Sequence, residues 1–125
     1  MTRFRIALFA FIALVPLIVL AEDPVAVAPA QFKVVLENDE VRVLEFSAKK
    51  GESTPMHSHP GHVIYPLADG KTRFTYPDGT TREIEVRKGV SQWIPPATHA
   101  HVALTDNLVL VIEVKPHQTA STSPR

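Results

Sequence analysis

From residue 31 onward, apolar and polar side chains alternate in runs of four to eight. Each run is closed by a turn signal, and none keeps the three-to-four spacing of an amphipathic helix for long. The runs predict strands at residues 32–37, 41–47, 55–59, 62–67, 71–76, 81–87, 91–94, 99–104 and 108–115. Residues 81–87 show the pattern well: Ile84 and Val86 share one face, while Glu83, Glu85 and Arg87 share the other, so one face of this strand is wet. The stretch Pro77-Asp78-Gly79-Thr80 before it is a hairpin signal, because Asp-Gly supplies the positive backbone angle such turns need. Asn38-Asp39 and Asp69-Gly70 are weaker signals of the same kind. With no helix to cover them, several short antiparallel strands bury a common face only by closing on themselves. The expected fold is all-β, a small antiparallel β-barrel or jelly roll.

The two ends read differently. Met1 to Arg5 carries two arginines, residues 6–20 have no polar or charged side chain, and Val19-Leu20-Ala21 places small or modest side chains where a signal peptidase reads. The apolar run has 15 residues, short of the roughly 20 that span a bilayer as a helix, and Pro16 interrupts it. Residues 1–21 are therefore read as a signal peptide, with Ala26 and Ala28 as other cut sites and an uncleaved inner-membrane anchor as the alternative. A periplasmic or secreted product without stable membrane association follows. Residues 22–30, EDPVAVAPA, are expected as a flexible lead-in or an edge segment, residues 31–115 as the folded domain, and residues 116–125 as a disordered tail.

Composition narrows this further. From residue 22 on, 11 of the 13 basic residues and all 13 acidic ones remain, a formal charge of −2 with histidines neutral. Such a surface offers no field for nucleic acid. With no cysteine, disulfides cannot hold the domain although the compartment would permit them. Stability must come from one small core, helped by a metal or a partner chain.

Five of the six histidines fall in the folded region: His57, His59, His62, His99 and His101. In an extended strand His57 and His59 leave the same face, their bases roughly 6–7 Å apart. That separation lets two ring nitrogens converge on one ion at about 2.0–2.1 Å. The alternative reading of the pair is two surface histidines beside a turn. His62 follows the Pro60-Gly61 turn and returns toward the same point, as ligand or as a hydrogen bonder at the rim. His99 follows Pro95-Pro96, a rigid turn that can aim one histidine into a barrel mouth. His101 shares its face and is expected at the rim or behind the ligands.

The stretch from Gly51 to His59, a glycine, five residues and His-x-His, resembles the first motif of the cupins. That from Gly89 to His99, a glycine, five residues, a proline and then a histidine, resembles the second. The resemblance covers residues 31–115 and implies a minimal single-domain cupin barrel. Two departures stand out. Cupins usually carry a glutamate on the strand after His-x-His; counted back from Tyr65 that position is His62, and counted back from Gly70 it is Val63, which cannot ligate. In the second motif Ala97 replaces a glycine, and the histidine comes one residue early.

The expected metal ligands are accordingly His57, His59, His62 and His99, around one divalent transition ion. Iron, manganese, zinc, nickel or copper suits nitrogen donors; magnesium and calcium prefer oxygen. Without an acidic ligand the ion keeps its full charge and favours a small anionic or chelating molecule, or dioxygen. Candidate acid–base groups are Tyr65, Glu52 and His101, none of them decisive, and Trp93 is expected in the core. Catalysis stays open against a sensing or binding role without turnover, or a purely structural cupin. Small cupins like this one commonly pair through a sheet edge, and the apolar Val34-Val35-Leu36 in the first strand leads us to expect a homodimer.

Overall fold

The computed structural model describes residues 22–117. The leader expected over residues 1–21, and all of the expected tail beyond His117, lie outside the described residues. No helix among the described residues is long and apolar enough to cross a membrane.

All nine predicted strands are present, with ends shifted by at most two residues: β1 (Phe32–Glu37), β2 (Val41–Ala48), β3 (Ser53–His59), β4 (His62–Pro66), β5 (Gly70–Thr75), β6 (Thr81–Val86), β7 (Gln92–Ile94), β8 (Ala97–Ala103) and β9 (Asn107–Val114). They form two antiparallel sheets, one ordered β1-β2-β9-β4-β7 and the other β3-β8-β5-β6, the arrangement of a small β-barrel or jelly roll. The hairpin read from Asp78-Gly79 joins β5 to β6: Gly79 has φ of 84°, and the Asp78 carboxylate accepts from the Thr80 N–H at 2.9 Å.

The core follows from alternation along β2. Leu44, Phe46 and Ala48 point inward and meet Phe32, Val111 and Ala103. The rings of Phe32 and Phe46 sit 4.8 Å apart.

The lead-in is not the flexible segment the sequence suggested. A helical turn, α1 (Pro24–Val27), is capped by Asp23, whose Oδ1 accepts from the Val25 N–H at 2.8 Å. Pro24 and Ala28 are buried, and the Ser58 N–H donates to the Glu22 carbonyl at 2.8 Å. This turn closes the flank where the edges β1 and β3 come together. Among the described residues, no helical turn covers the opposite flank, between the edges β6 and β7.

A β-bulge in β3 decides what faces the interior. Thr54 pairs with His101 and His57 with His99, so three steps on β3 match two on β8. The extra residue reverses the alternation, and Thr54, His57 and His59 all turn inward. Pro55 stands within this bulge, where its missing N–H breaks no ladder bond.

The outer face of the five-stranded sheet is apolar. Leu36, Val43, Ile112, Val63 and Trp93 stand in register across all five strands. Trp93 is 58% exposed rather than in the core, because the alternation of β7 turns Gln92 and Ile94 to the interior instead. Its ring lies against Gly61, where a Cβ would come within 2.8 Å of it.

Leu44 has no exposed surface, and Leu44→Ala is expected to cost about 3 kcal/mol. Urea unfolding at neutral pH measures this, and a cost below about 1 kcal/mol would show that the core is not packed as described.

Candidate metal centre

All five barrel histidines are buried, none more than 8% exposed. β3 delivers His57 and His59, β4 delivers His62, and β8 delivers His99 and His101. Because His57 and His99 are partners across the β3–β8 ladder, their rings lie 4.8 Å apart. His59 and His101 flank that pair, with rings 4.9 and 5.3 Å from His57. His62 packs against His59 at 4.9 Å.

The ligand-capable nitrogens of His57, His99 and His101 all lie within 4.8 Å of one another. This is close to the roughly 4.2 Å diameter of a sphere drawn by 2.1 Å metal–nitrogen bonds. The only buried side-chain nitrogen or oxygen atoms without a hydrogen-bond partner among the described residues are His57 Nε2 and His101 Nδ1. Leaving such an atom unpaired costs about 1–3 kcal/mol. Two of them in one cluster fit a site that gives its lone pairs to an ion.

Backbone carbonyls fix the tautomers. His57 Nδ1–H donates to the Pro55 carbonyl at 2.7 Å, and His62 Nδ1–H to the Pro60 carbonyl at 2.8 Å. A carbonyl only accepts, so each neutral ring keeps its lone pair on Nε2. His59 is held differently. Its Nδ1–H donates to Glu113 Oε1 at 2.7 Å, Glu113 Oε2 accepts from Arg42 Nε–H at 2.7 Å, and Arg42 Nη2 reaches Asp23 Oδ2 at 2.6 Å. Histidine, acid, arginine and acid thus run in a line from the cluster to the α1 cap, the kind of outer support that orients a ligating imidazole.

Burial keeps His57, His62, His99 and His101 neutral. Burial, followed by repulsion from neighbouring imidazoles, lowers His99 to about 2 and His101 to about 3. Burial lowers His57 and His62 as well, against the pull of their carbonyl partners. For Glu113, burial pushes the carboxyl up, but hydrogen bonds from His59 and Arg42 outweigh it and hold it ionised below its ordinary range. Neutral imidazoles beside an ionised carboxylate and a charged guanidinium are ready for a cation without first losing protons.

Of the four ligands expected from the sequence, His57 and His99 fall in the group of converging nitrogens. His59 and His62 stand beside it, and the third member is His101, expected at the rim or behind the ligands. The reason is the ladder: His101 alternates inward with His99 along β8, and the bulge sets it near His57. His62, not Val63, occupies the inward position on β4, which supports the count back from Tyr65. Tyr65 itself faces outward and is 41% exposed, and Glu52 is spent accepting from the Lys49 N–H at 3.0 Å in an exposed turn. Glu113 was missed. Its signal was one acid in the otherwise apolar strand Asn107–Val114, in phase with Val109 and Val111.

His59, His62, His99 and His101 line a cavity of about 180 Å³ between the sheets, its remaining surface mostly Phe, Ile and Val side chains.

No family model matches the sequence, and no curated protein matches it. Solved structures do. A cupin domain from Bordetella pertussis Tohama I is 26% identical with a TM-score of 0.61, over 68% of this chain and 92% of that one. A conserved protein of unknown function from Streptococcus pyogenes is 25% identical with a TM-score of 0.53, over 70% and 75%. A cupin superfamily protein from Desulfitobacterium hafniense DCB-2 shares the fold at 20% identity and a TM-score of 0.53, over 68% and 76%. The chain thus has the fold of a small single-domain cupin, and it carries a buried three-histidine cluster able to coordinate a metal ion.

The depressed histidines give the metal-free protein a defined pH dependence. They are neutral when folded and take up protons near 6.5 when unfolded, so the unfolded chain binds more protons between the two values. Stability is unaffected by them above about pH 7 and is lost as pH falls through 6.5 toward 3. Thermal unfolding with a chelator present is expected to show a level melting temperature from pH 8 to 7 and a steady fall below 6.5. A melting temperature unchanged down to pH 5 would mean the rings are not buried as neutral species.

Proposed function

We propose that this protein is a secreted or periplasmic metal-binding cupin that holds one divalent transition ion and binds, or acts on, a small anionic or chelating molecule beside it. The observation that carries the reading is the pair of unpartnered buried nitrogens, His57 Nε2 and His101 Nδ1, in a group with His99. In this reading His57, His99 and His101 hold the ion. His59, oriented by Glu113, and His62, oriented by Pro60, line its flank as the next nitrogens of the site. Iron, manganese, zinc, nickel or copper suits the donor set. A bound ion would supply a Lewis acid for an oxygen of the ligand. The chain's own contribution is to fix the rings, hold them neutral and keep bulk water from the apolar wall behind them. Binding without turnover is the second reading, favoured by the position of Tyr65 and Glu52 outside the cavity.

Incubation with zinc, iron, manganese, nickel or copper salts, followed by desalting and elemental analysis, is expected to give about one equivalent per chain. His57→Ala and His99→Ala should each abolish uptake and the rise in melting temperature that metal brings, while His62→Ala should weaken it less. Below about 0.2 equivalent for every metal, the reading is wrong.

The same reading includes a homodimer. The support is the row of five apolar side chains across the outer face, with Leu36 and Trp93, 49% and 58% exposed, at its ends. A sheet face of this kind can be covered by its own copy about a two-fold axis, with sheets packed about 10 Å apart. Analytical ultracentrifugation is expected to show a dimer that Val43→Glu with Trp93→Glu converts to a folded monomer. A wild-type monomer at 100 μM would exclude it.

A further inference from the structure

Resting on the metal-site reading, the cavity says which molecules can approach the ion. Besides the histidines, its wall includes Ile64, Phe74, Ile84, Val86, Ile94 and Val109, and no lysine, arginine, aspartate or glutamate lines it. The polar groups that do reach it are few. Asn107 Nδ2 is engaged with the Thr72 hydroxyl and the Thr105 carbonyl, both at 3.1 Å, which leaves Thr72, Tyr76 and Gln92 as the other uncharged polar neighbours. A second charge on a ligand, far from the ion, would be buried here without a counter-charge, which strongly disfavours it. The volume of about 180 Å³ compares with an engineered apolar cavity of about 150 Å³ that takes benzene. One ring, or a short branched chain, fills it.

The flank away from α1 also borders the cavity mainly through apolar side chains. The sandwich is closed by α1 where β1 meets β3, whereas the edges β6 and β7 on the other flank contribute Ile84, Val86, Gln92 and Ile94 to the cavity wall. We infer that the ligand of this site is a compact molecule with an uncharged apolar body and a single chelating oxygen head, and that sugar acids and polycarboxylates are excluded. The body fills the space between the sheets and the head meets the ion at the histidines.

Three hydroxamates share one chelating head and differ only in the body, so calorimetric titration of the zinc-loaded full-length chain separates the terms. Benzohydroxamate is expected to bind at least tenfold more tightly than acetohydroxamate, and 4-carboxybenzohydroxamate at least tenfold more weakly than benzohydroxamate. Equal affinity for the charged and uncharged aromatic probes overturns the inference while leaving the metal site intact. Ile84→Lys on the edge strand β6 should leave zinc content unchanged and raise affinity for the carboxylated probe at least tenfold relative to the parent. If zinc is not retained, the metal reading fails by itself, and the cavity is then tested in the metal-free chain. There, toluene should shift the methyl resonances of Ile64 and Ile94 while benzoate should not, and no shift with toluene overturns the inference.

Discussion

The centre of this molecule depends on how β3 lies against β8. With His57 opposite His99 and Thr54 opposite His101, one added residue in the bulge turns His57 to the inside. Without it, either Thr54 or the His57–His59 pair would face water, since the side-chain period of a strand is two. The bulge also sets the Pro55 carbonyl to accept from His57 Nδ1 at 2.7 Å, so the distortion that aims the ring also fixes its tautomer. Pro60 does the same for His62 at 2.8 Å. Two Pro-x-His tripeptides therefore act as local devices that present Nε2.

Five imidazoles in one interior hold together only if nearly all stay uncharged. Phe32, Phe46 and Phe74 pack on them, with the Phe74 ring 4.8 Å from His99 and the Phe46 ring 5.1 Å from His101. This apolar packing withholds the water that protonated rings would need. The charged groups lie in the line behind His59, where Arg42 pairs with Glu113 at 2.7 Å and with Asp23 at 2.6 Å. A buried carboxylate of this kind is tolerable because each oxygen has its own donor. The line also couples the α1 cap to the site, which explains why a nine-residue stretch rich in alanine, valine and proline is ordered at all.

A domain this small has little interior, and here the space between the sheets is shared between a compact core and a histidine-walled cavity, with Phe32, Phe46 and Val111 belonging to both. Apolar surface that finds no room inside appears on the outer face of the five-stranded sheet, in the row from Leu36 to Trp93. The two apolar surfaces differ in kind. The inner one is concave and ends at metal-capable nitrogens, whereas the outer one is a sheet face with Glu45 beside it.

The sequence by itself determined the strands, the Asp78-Gly79 hairpin, the cupin-like order of the two histidine motifs and the shared face of His57 and His59. These are local properties, set by side-chain alternation and turn chemistry within a few residues. Only the tertiary structure decided that His101 joins His57 and His99, that Glu113 supports His59, that Trp93 faces outward and that residues 22–30 pack. Each of those depends on register between strands distant in the chain. A register is fixed by the fit of whole faces and by a bulge that shifts alternation by one, and neither can be read from any single stretch of residues.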